Sequence, residues 1–285
     1  RELATGGYTV LPLREVMTRL RQRNPLPDRT VVITIDDAFR SGFTEAWPRL
    51  KRAGFPFALF VSTETLDARA PDYMSWDNVR EMKSAGVEIA AHTRRHRHMA
   101  AASDEENVAE IAHANRRLEA ELGEKAQFFA YPYGEWSAKA RELVMQAGYA
   151  AAFGQNSGVM HADHDFFSLP RFAFSDSYGD MERFRRAASA LPLPISDLTP
   201  ADPRLKRNPP AIGFTLAAYM EGSDRLACFA SHEQGKARLE RLGARRVEVR
   251  IETPFPPGRG RVNCTAPGPE GRWRWFSVQF YIPTP

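Results

Sequence analysis

Val31-Val32-Ile33-Thr34-Ile35-Asp36-Asp37-Ala38-Phe39 is the stretch on which the reading of the fold turns. Apolar β-branched residues and a Thr run straight into two adjacent carboxylates, and the polar turn Arg40-Ser41-Gly42 follows. A short apolar run bounded by turn residues reads as a buried strand of a parallel sheet. Asp36 and Asp37 then stand at its C-terminal end, where α/β barrels and open α/β sheets carry their chemistry. A cap on the next helix is one use for Asp, but a cap needs one carboxylate and not two. Burying an unpaired charge is also costly. From this stretch alone, a helix cap and a working site are both open.

Working outward, the same cadence repeats. Residues 8–20 read as a short strand and a helix with Leu13, Val16 and Leu20 on one face, and 44–52 as a helix closed by Gly54. Strands are expected at 57–61, 87–91, 127–131, 150–153 and 167–171, and helices at 76–84, 104–122, 138–146 and 181–190. Ser75 is placed to cap the 76–84 helix, and Ser103 with Glu106 forms a capping-box pattern for 104–122. Strands alternating with helices argue for a parallel α/β architecture whose strand C-termini form the working face.

Beyond residue 190 the pattern changes. Pro192, Pro194, Pro200, Pro203, Pro209 and Pro210 exclude a long helix or a central strand, so 191–210 is expected to be an ordered linker. Period-2 alternation follows, at Ile212, Phe214 and Leu216, at Val247, Val249 and Ile251, and at Phe276, Val278 and Phe280; only 236–242 reads as a helix. The expected organisation is an α/β catalytic domain over 1–190, the linker over 191–210 and a small β-rich domain over 211–285. Trp273 and Trp275 fall on the face opposite the apolar one, either packed against a neighbouring element or offered as a stacking platform.

Composition narrows the class. With 43% hydrophobic and 26% charged residues, the 285-residue chain has the makeup of an ordinary globular protein. No stretch approaches the roughly 18 apolar residues of a membrane helix. The net charge of +4 is spread among interleaved acids and bases, which argues against a nucleic-acid partner. Cys228 and Cys264 both lie in strand-like contexts and are expected to form a disulfide, with two buried thiols as the alternative. The chain starts at Arg1 without a signal peptide, which reads as a processed or trimmed segment.

Two further strand ends carry polar groups. His92 and His96 are four residues apart, which brings both imidazoles to one side of a turn; with a carboxylate they make a facial set for a divalent metal. The bend Tyr131-Pro132-Tyr133-Gly134 can present a backbone N–H to an oxyanion. His98, with different spacing, is expected to be solvated or to support the ligands.

Thr34-Ile35-Asp36-Asp37 resembles the T-F-D-D motif of the polysaccharide deacetylases, the carbohydrate esterase family four enzymes. His92-Thr93-Arg94-Arg95-His96 resembles that family's H-[ST]-x-x-H, and Phe129-Ala130-Tyr131-Pro132-Tyr133-Gly134 its R-x-P-Y-G segment, in the same order along 7–190. The resemblance implies a distorted (β/α) barrel with a divalent metal, most often Zn2+, held by Asp37, His92 and His96. It implies Asp36 as general base and the Tyr133 N–H against the oxyanion, with Tyr131 and Trp136 as the expected sugar contacts.

The departures are specific. Ala38 replaces the motif's Gly and Ile35 its Phe. Ala130 stands where the family has the Arg that orients the base, so Arg171 is expected to take that part. No segment matches the one that supplies the general-acid His; His161, His164 and His232 are candidates. The activity implied is removal of N-acetyl, less readily O-acetyl, groups from an amino-sugar polysaccharide by a periplasmic or secreted enzyme. The alternatives are a metal-dependent amidohydrolase of small amides and a carbohydrate-binding protein with a vestigial site.

Overall fold

The protein is described here in a computed structural model covering residues 1–217, 220 and 222–284. The strands, in chain order, are β1 (Thr9–Val10), β2 (Thr30–Val31), β3 (Ile33–Ile35), β4 (Phe57–Val61), β5 (Glu88–Ala91), β6 (Phe128–Ala130), β7 (Ala151–Phe153), β8 (Leu191–Pro192), β9 (Ile195–Thr199), β10 (Ile212–Leu216), β11 (Ala227–Ala230), β12 (Arg238–Leu242), β13 (Arg246–Arg250), β14 (Gly258–Pro267) and β15 (Trp273–Ile282). The helices are α1 (Glu2–Thr5), α2 (Leu13–Arg21), α3 (Trp47–Ala53), α4 (Thr63–Asp67), α5 (Trp76–Ser84), α6 (Asp104–Leu122), α7 (Ala138–Gln146) and α8 (Met181–Ala188). They fall into two compact units, one of Arg1–His98, Ala102–Pro132 and Glu142–Ala152, the other of Met99–Ala101, Tyr133–Arg141 and Phe153–Pro285.

The first unit is built on a curled sheet of order β3-β4-β5-β6-β7, with parallel pairing from β3 through β6. β4 is buried along its whole length, as a central strand covered on both faces must be. Ser75 and Asn78 close a capping box on α5, and Ser103 and Glu106 do the same on α6, so both helices start where the sequence signals them. Parallel pairing makes β3 and β5 end at the same edge of the sheet. Asp36–Asp37 and His92 leave the sheet from that edge.

The second unit holds two four-stranded sheets, β12-β13-β10-β9 and β11-β14-β15-β8. Their inner faces supply one core in which Phe214, Val247, Val249, Val262 and Phe280 are all buried. The alternation read from the sequence therefore marks the inward faces correctly. Cys228 and Cys264 are direct partners across β11 and β14 and form the expected disulfide.

Four expectations differ from the structure. The helix over 236–242 is instead β12, paired antiparallel with β13. Leu239 packs on the core while Glu240 reaches across to Arg250, so a period-2 strand carries charges whose spacing also suits a helix. The linker over 191–210 contributes β8 and β9, each at a sheet edge, where a strand tolerates neighbouring prolines. The strand over 167–171 shrinks to one bridge between Leu169 and Phe153, because Pro170 has no N–H to extend it. Residues 153–190 belong to the second unit and not to the α/β one. Asn156 Nδ2 donates to the Ser277 carbonyl, Ser277 Oγ donates to the Ser157 carbonyl, and Arg272 donates to that of Ser189.

Candidate metal centre

Asp37, His92 and His96 converge in the first unit, their ligand atoms all within 4.8 Å of one another. Asp37 Oδ1 lies 3.4 Å from His92 Nε2 and 3.2 Å from His96 Nε2. The two rings meet edge to face, 4.7 Å apart at an angle of 64°.

The tautomer of His92 follows from its neighbours. Its Nδ1 lies 2.8 Å from the carbonyl of Ala130, and a carbonyl can only accept, so Nδ1 carries the hydrogen. In the neutral ring Nε2 is then a bare lone pair; it is fully buried and without a hydrogen-bond partner. It faces a carboxylate oxygen, which is also electron-rich. Burial, followed by the nearby His92, pushes the His96 imidazole down to about 4, so this ring is neutral near pH 7. Two imidazole nitrogens and a carboxylate turned on one point repel one another unless a cation lies among them. This donor set, two imidazole nitrogens and one carboxylate with open positions, fits a divalent metal. Anchoring of His92 Nδ1–H by a backbone carbonyl is the outer-sphere contact that such ligands use.

The loop between the His residues is held from several sides. Ser62 Oγ donates to the His92 carbonyl, and the Thr63 and Glu64 N–H groups at the start of α4 donate to the carbonyls of Thr93 and Arg94. Thr93 Oγ1 accepts from the His96 N–H at 3.1 Å, which explains the hydroxyl residue within the His-x-x-x-His spacing. Glu110 on α6, 6% exposed, accepts from the Arg95 N–H at 2.7 Å. Nothing in the sequence near the motif marks Ser62 or Glu110; both are ordinary polar residues on separate elements.

The remaining expected residues divide between the units. Asp36 is half-buried beside Asp37 in the first. Tyr131, expected to touch sugar, is instead fully buried against Phe129, where the ring completes the core behind β6. His98 is exposed, as expected. Ala130 takes part through its carbonyl and not its side chain.

In the second unit, Tyr133 adopts a left-handed conformation, φ 58°, in the turn Pro132–Gly134, and Trp136 is half-buried. Arg171 donates through Nε to the Gly154 carbonyl at 2.9 Å. His161 and His164 stack 3.8 Å apart, each accepting a backbone N–H at Nδ1. His232 lies 2.8 Å through Nε2 from the Thr253 carbonyl.

Residues 23–152 match the family model described as polysaccharide deacetylase. A poly-β-1,6-N-acetyl-D-glucosamine N-deacetylase of Escherichia coli K12 is 24% identical over 216 residues, which covers 61% of this chain and 32% of that protein. The matched stretches span between 32% and 61% of the length of such curated relatives. Among solved structures, the Streptococcus pyogenes deacetylase PplD in complex with acetate superposes with a TM-score of 0.61 at 22% identity, over 66% of this chain and 82% of that one. A de-N-acetylase from Aggregatibacter actinomycetemcomitans does so with a TM-score of 0.57 at 20% identity, over 64% and 84%. These likenesses give the chain the distorted-barrel fold of that group, with an additional β-rich region. Over residues 23–152, the chain is thus similar to the polysaccharide deacetylase family.

Proposed function

We propose that the protein is a metal-dependent hydrolase that removes N-acetyl groups from an amino-sugar polysaccharide. The observation that carries this reading is the buried, unpartnered Nε2 of His92, turned with His96 Nε2 toward Asp37 Oδ1. Asp37, His92 and His96 would hold the ion, and zinc suits their mixed nitrogen and oxygen donors. When bound, such an ion supplies Lewis acidity toward water and the acetyl carbonyl.

The chain's own residues do the rest. Asp36, adjacent to the ligand but not part of the set, takes the proton of the attacking water. By resemblance, the Tyr133 N–H is assigned to the acetyl oxygen as charge develops on it. Arg171 is assigned the orientation of the Asp36 carboxylate, in place of the Arg missing at 130; unchanged turnover in Arg171→Ala would remove it from that part. The C–N bond then breaks as the amine nitrogen takes back the proton held by Asp36, and the products are acetate and the free sugar amine. An N-acetylated glucosamine polymer is favoured as substrate by the Escherichia coli relative's name. The Cys228–Cys264 bridge supports an oxidising compartment, periplasmic or extracellular.

The test combines metal analysis of purified protein with acetate release from N-acetylated and O-acetylated polymers and from small amides. Stoichiometric zinc, acetate from the N-acetylated polymer, and loss of both turnover and zinc in His92→Ala are expected. Turnover of small amides alone would favour the amidohydrolase. Absence of metal and of acetate would leave a carbohydrate-binding protein.

A further inference from the structure

The family match ends at residue 152, and the hairpin of β14 and β15 lies wholly beyond it. Along β15, Val278 and Phe280 point into the sandwich core, so Ser277 and Gln279 point the other way. That outer face is nevertheless buried, with Ser277 3% and Gln279 6% exposed. It is covered by other residues of the second unit, Tyr133 and the segment at 156–157.

Gln279 Nε2 donates to the Tyr133 carbonyl at 2.9 Å. Its Oε1 accepts from Arg261 Nε at 2.9 Å, and Arg261 is its direct partner across the β14–β15 ladder. Arginine can only donate, so it fixes which end of the amide faces Tyr133. The Arg259 guanidinium lies 5.6 Å over the Tyr133 ring, with Nε 3.4 Å from the buried carboxylate of Glu135. The hairpin thus grips the turn at a carbonyl, a ring and a carboxylate.

The turn needs such a grip. Tyr133 has φ 58° and ψ 6°, a region that residues with side chains disfavour. Gly134 follows at φ 69°, and a Cβ there would meet the Gln155 backbone nitrogen at 2.4 Å. If Tyr133 relaxed toward the right-handed region, the direction of its N–H relative to the next peptide would change.

We propose that Gln279 is a positioning residue for the deacetylation: its hydrogen bond to the Tyr133 carbonyl keeps the Tyr133 N–H aimed for the acetyl oxygen. This rests on the function proposed above and gives the C-terminal sheet a part in it.

The test uses the full chain loaded with zinc, with Gln279→Leu, which removes both hydrogen bonds, and Gln279→Glu, which keeps an acceptor for Arg261 but no donor for Tyr133. Both should lower kcat about 10- to 100-fold, less than complete loss of an oxyanion donor, with KM within about twofold. Amide exchange in the 131–136 peptide should quicken, and that of 262–266 should not. Phe280→Leu, on the core face of the same strand, serves as the destabilised control. Unchanged kcat in both Gln279 variants, an equal loss in Phe280→Leu, or unchanged exchange at 131–136 would overturn the proposal. Wild-type protein that releases no acetate would instead sink the deacetylase reading, and the exchange measurement would still decide whether Gln279 holds the turn.

Discussion

Replacing Glu110 tests whether the His loop owes its shape to α6. In Glu110→Ala, the hydrogen bond from the Arg95 N–H at 2.7 Å disappears, and a bond to a charged acceptor is worth about 1.5–3 kcal/mol. The Arg95 guanidinium, 3.7 Å away and 37% exposed, adds less than about 1 kcal/mol because solvent screens it. Lost methylene burial adds about 0.8 kcal/mol. Together these come to about 3 kcal/mol, a fall in Tm of roughly 6–12 °C for a unit of this size. Arg95 sits immediately before His96, so zinc affinity should also fall about 10- to 100-fold, as for lost outer-sphere support elsewhere. Glu110→Gln keeps an acceptor of the same reach and should retain most of both properties. Differential scanning fluorimetry measures the first effect, and zinc competition against a chromophoric chelator the second. If Glu110→Ala lost stability but bound zinc within twofold of wild type, α6 would support the fold without shaping the ligands. An unchanged Tm would refute the reasoning outright.

Three further outcomes are expected. Burial holds His96 neutral down to about 4 and His164 down to about 3, both below the ordinary 6.5, so the unfolded chain binds protons that the folded chain does not. Stability should therefore be intact above pH 6.5 and decline as the pH falls toward 4; urea midpoints of chelator-treated protein measure this, and His96→Gln should flatten part of the slope. Reduction of Cys228–Cys264, which closes a loop of sequence separation 36, should cost the second unit about 3–4 kcal/mol, read as a lower urea midpoint in a phosphine reductant. Trp273 is 41% exposed, whereas Trp275 packs edge-on against Phe172 at 5.3 Å. Trp273→Ala should weaken polymer retention in affinity electrophoresis with Tm unchanged, and Trp275→Ala should lower Tm.

Legibility in the sequence followed the range of the interaction. The buried run at 57–61, the Ser103–Glu106 box and the Asp-Asp and His-x-x-x-His spacings are all local, and each sits in the structure where its residues indicate. β12 was not legible, because what makes 238–242 a strand is pairing with 246–250 and packing of Leu239, neither visible within the segment. The division near residue 153 was equally hidden: the partners of 156, 157 and 189 lie more than 80 residues downstream. Tyr131 misled for a related reason. A Tyr beside the Pro132–Gly134 bend suits a ligand, but its ring completes the core behind β6.

The same division of labour explains the backbone of the turns that the motifs form. Asp37, Ala38, Thr93, His96 and Tyr133 all have positive φ, between 57° and 73°. Such conformations cost about 1–2 kcal/mol each and persist only where neighbours over-determine them. Each turn has its own brace. The Ala38 carbonyl accepts from the Met74 N–H, Arg40 N–H donates to the Asp72 carbonyl, and Phe39 stacks on Tyr73 at 4.7 Å. Ser62, the start of α4 and Glu110 brace the His loop, and Gln279 braces Tyr133. This also accounts for Ala38, where the resembling motif has Gly. Alanine carries the left-handed strain of about 1–2 kcal/mol that Gly would avoid. Its fully buried methyl returns about 0.8 kcal/mol, and avoiding glycine's extra chain entropy returns about 0.5–1 kcal/mol. The two sides nearly cancel, so once residues 72–74 hold the turn, the exchange of Gly for Ala leaves the geometry of Asp37 intact at little cost.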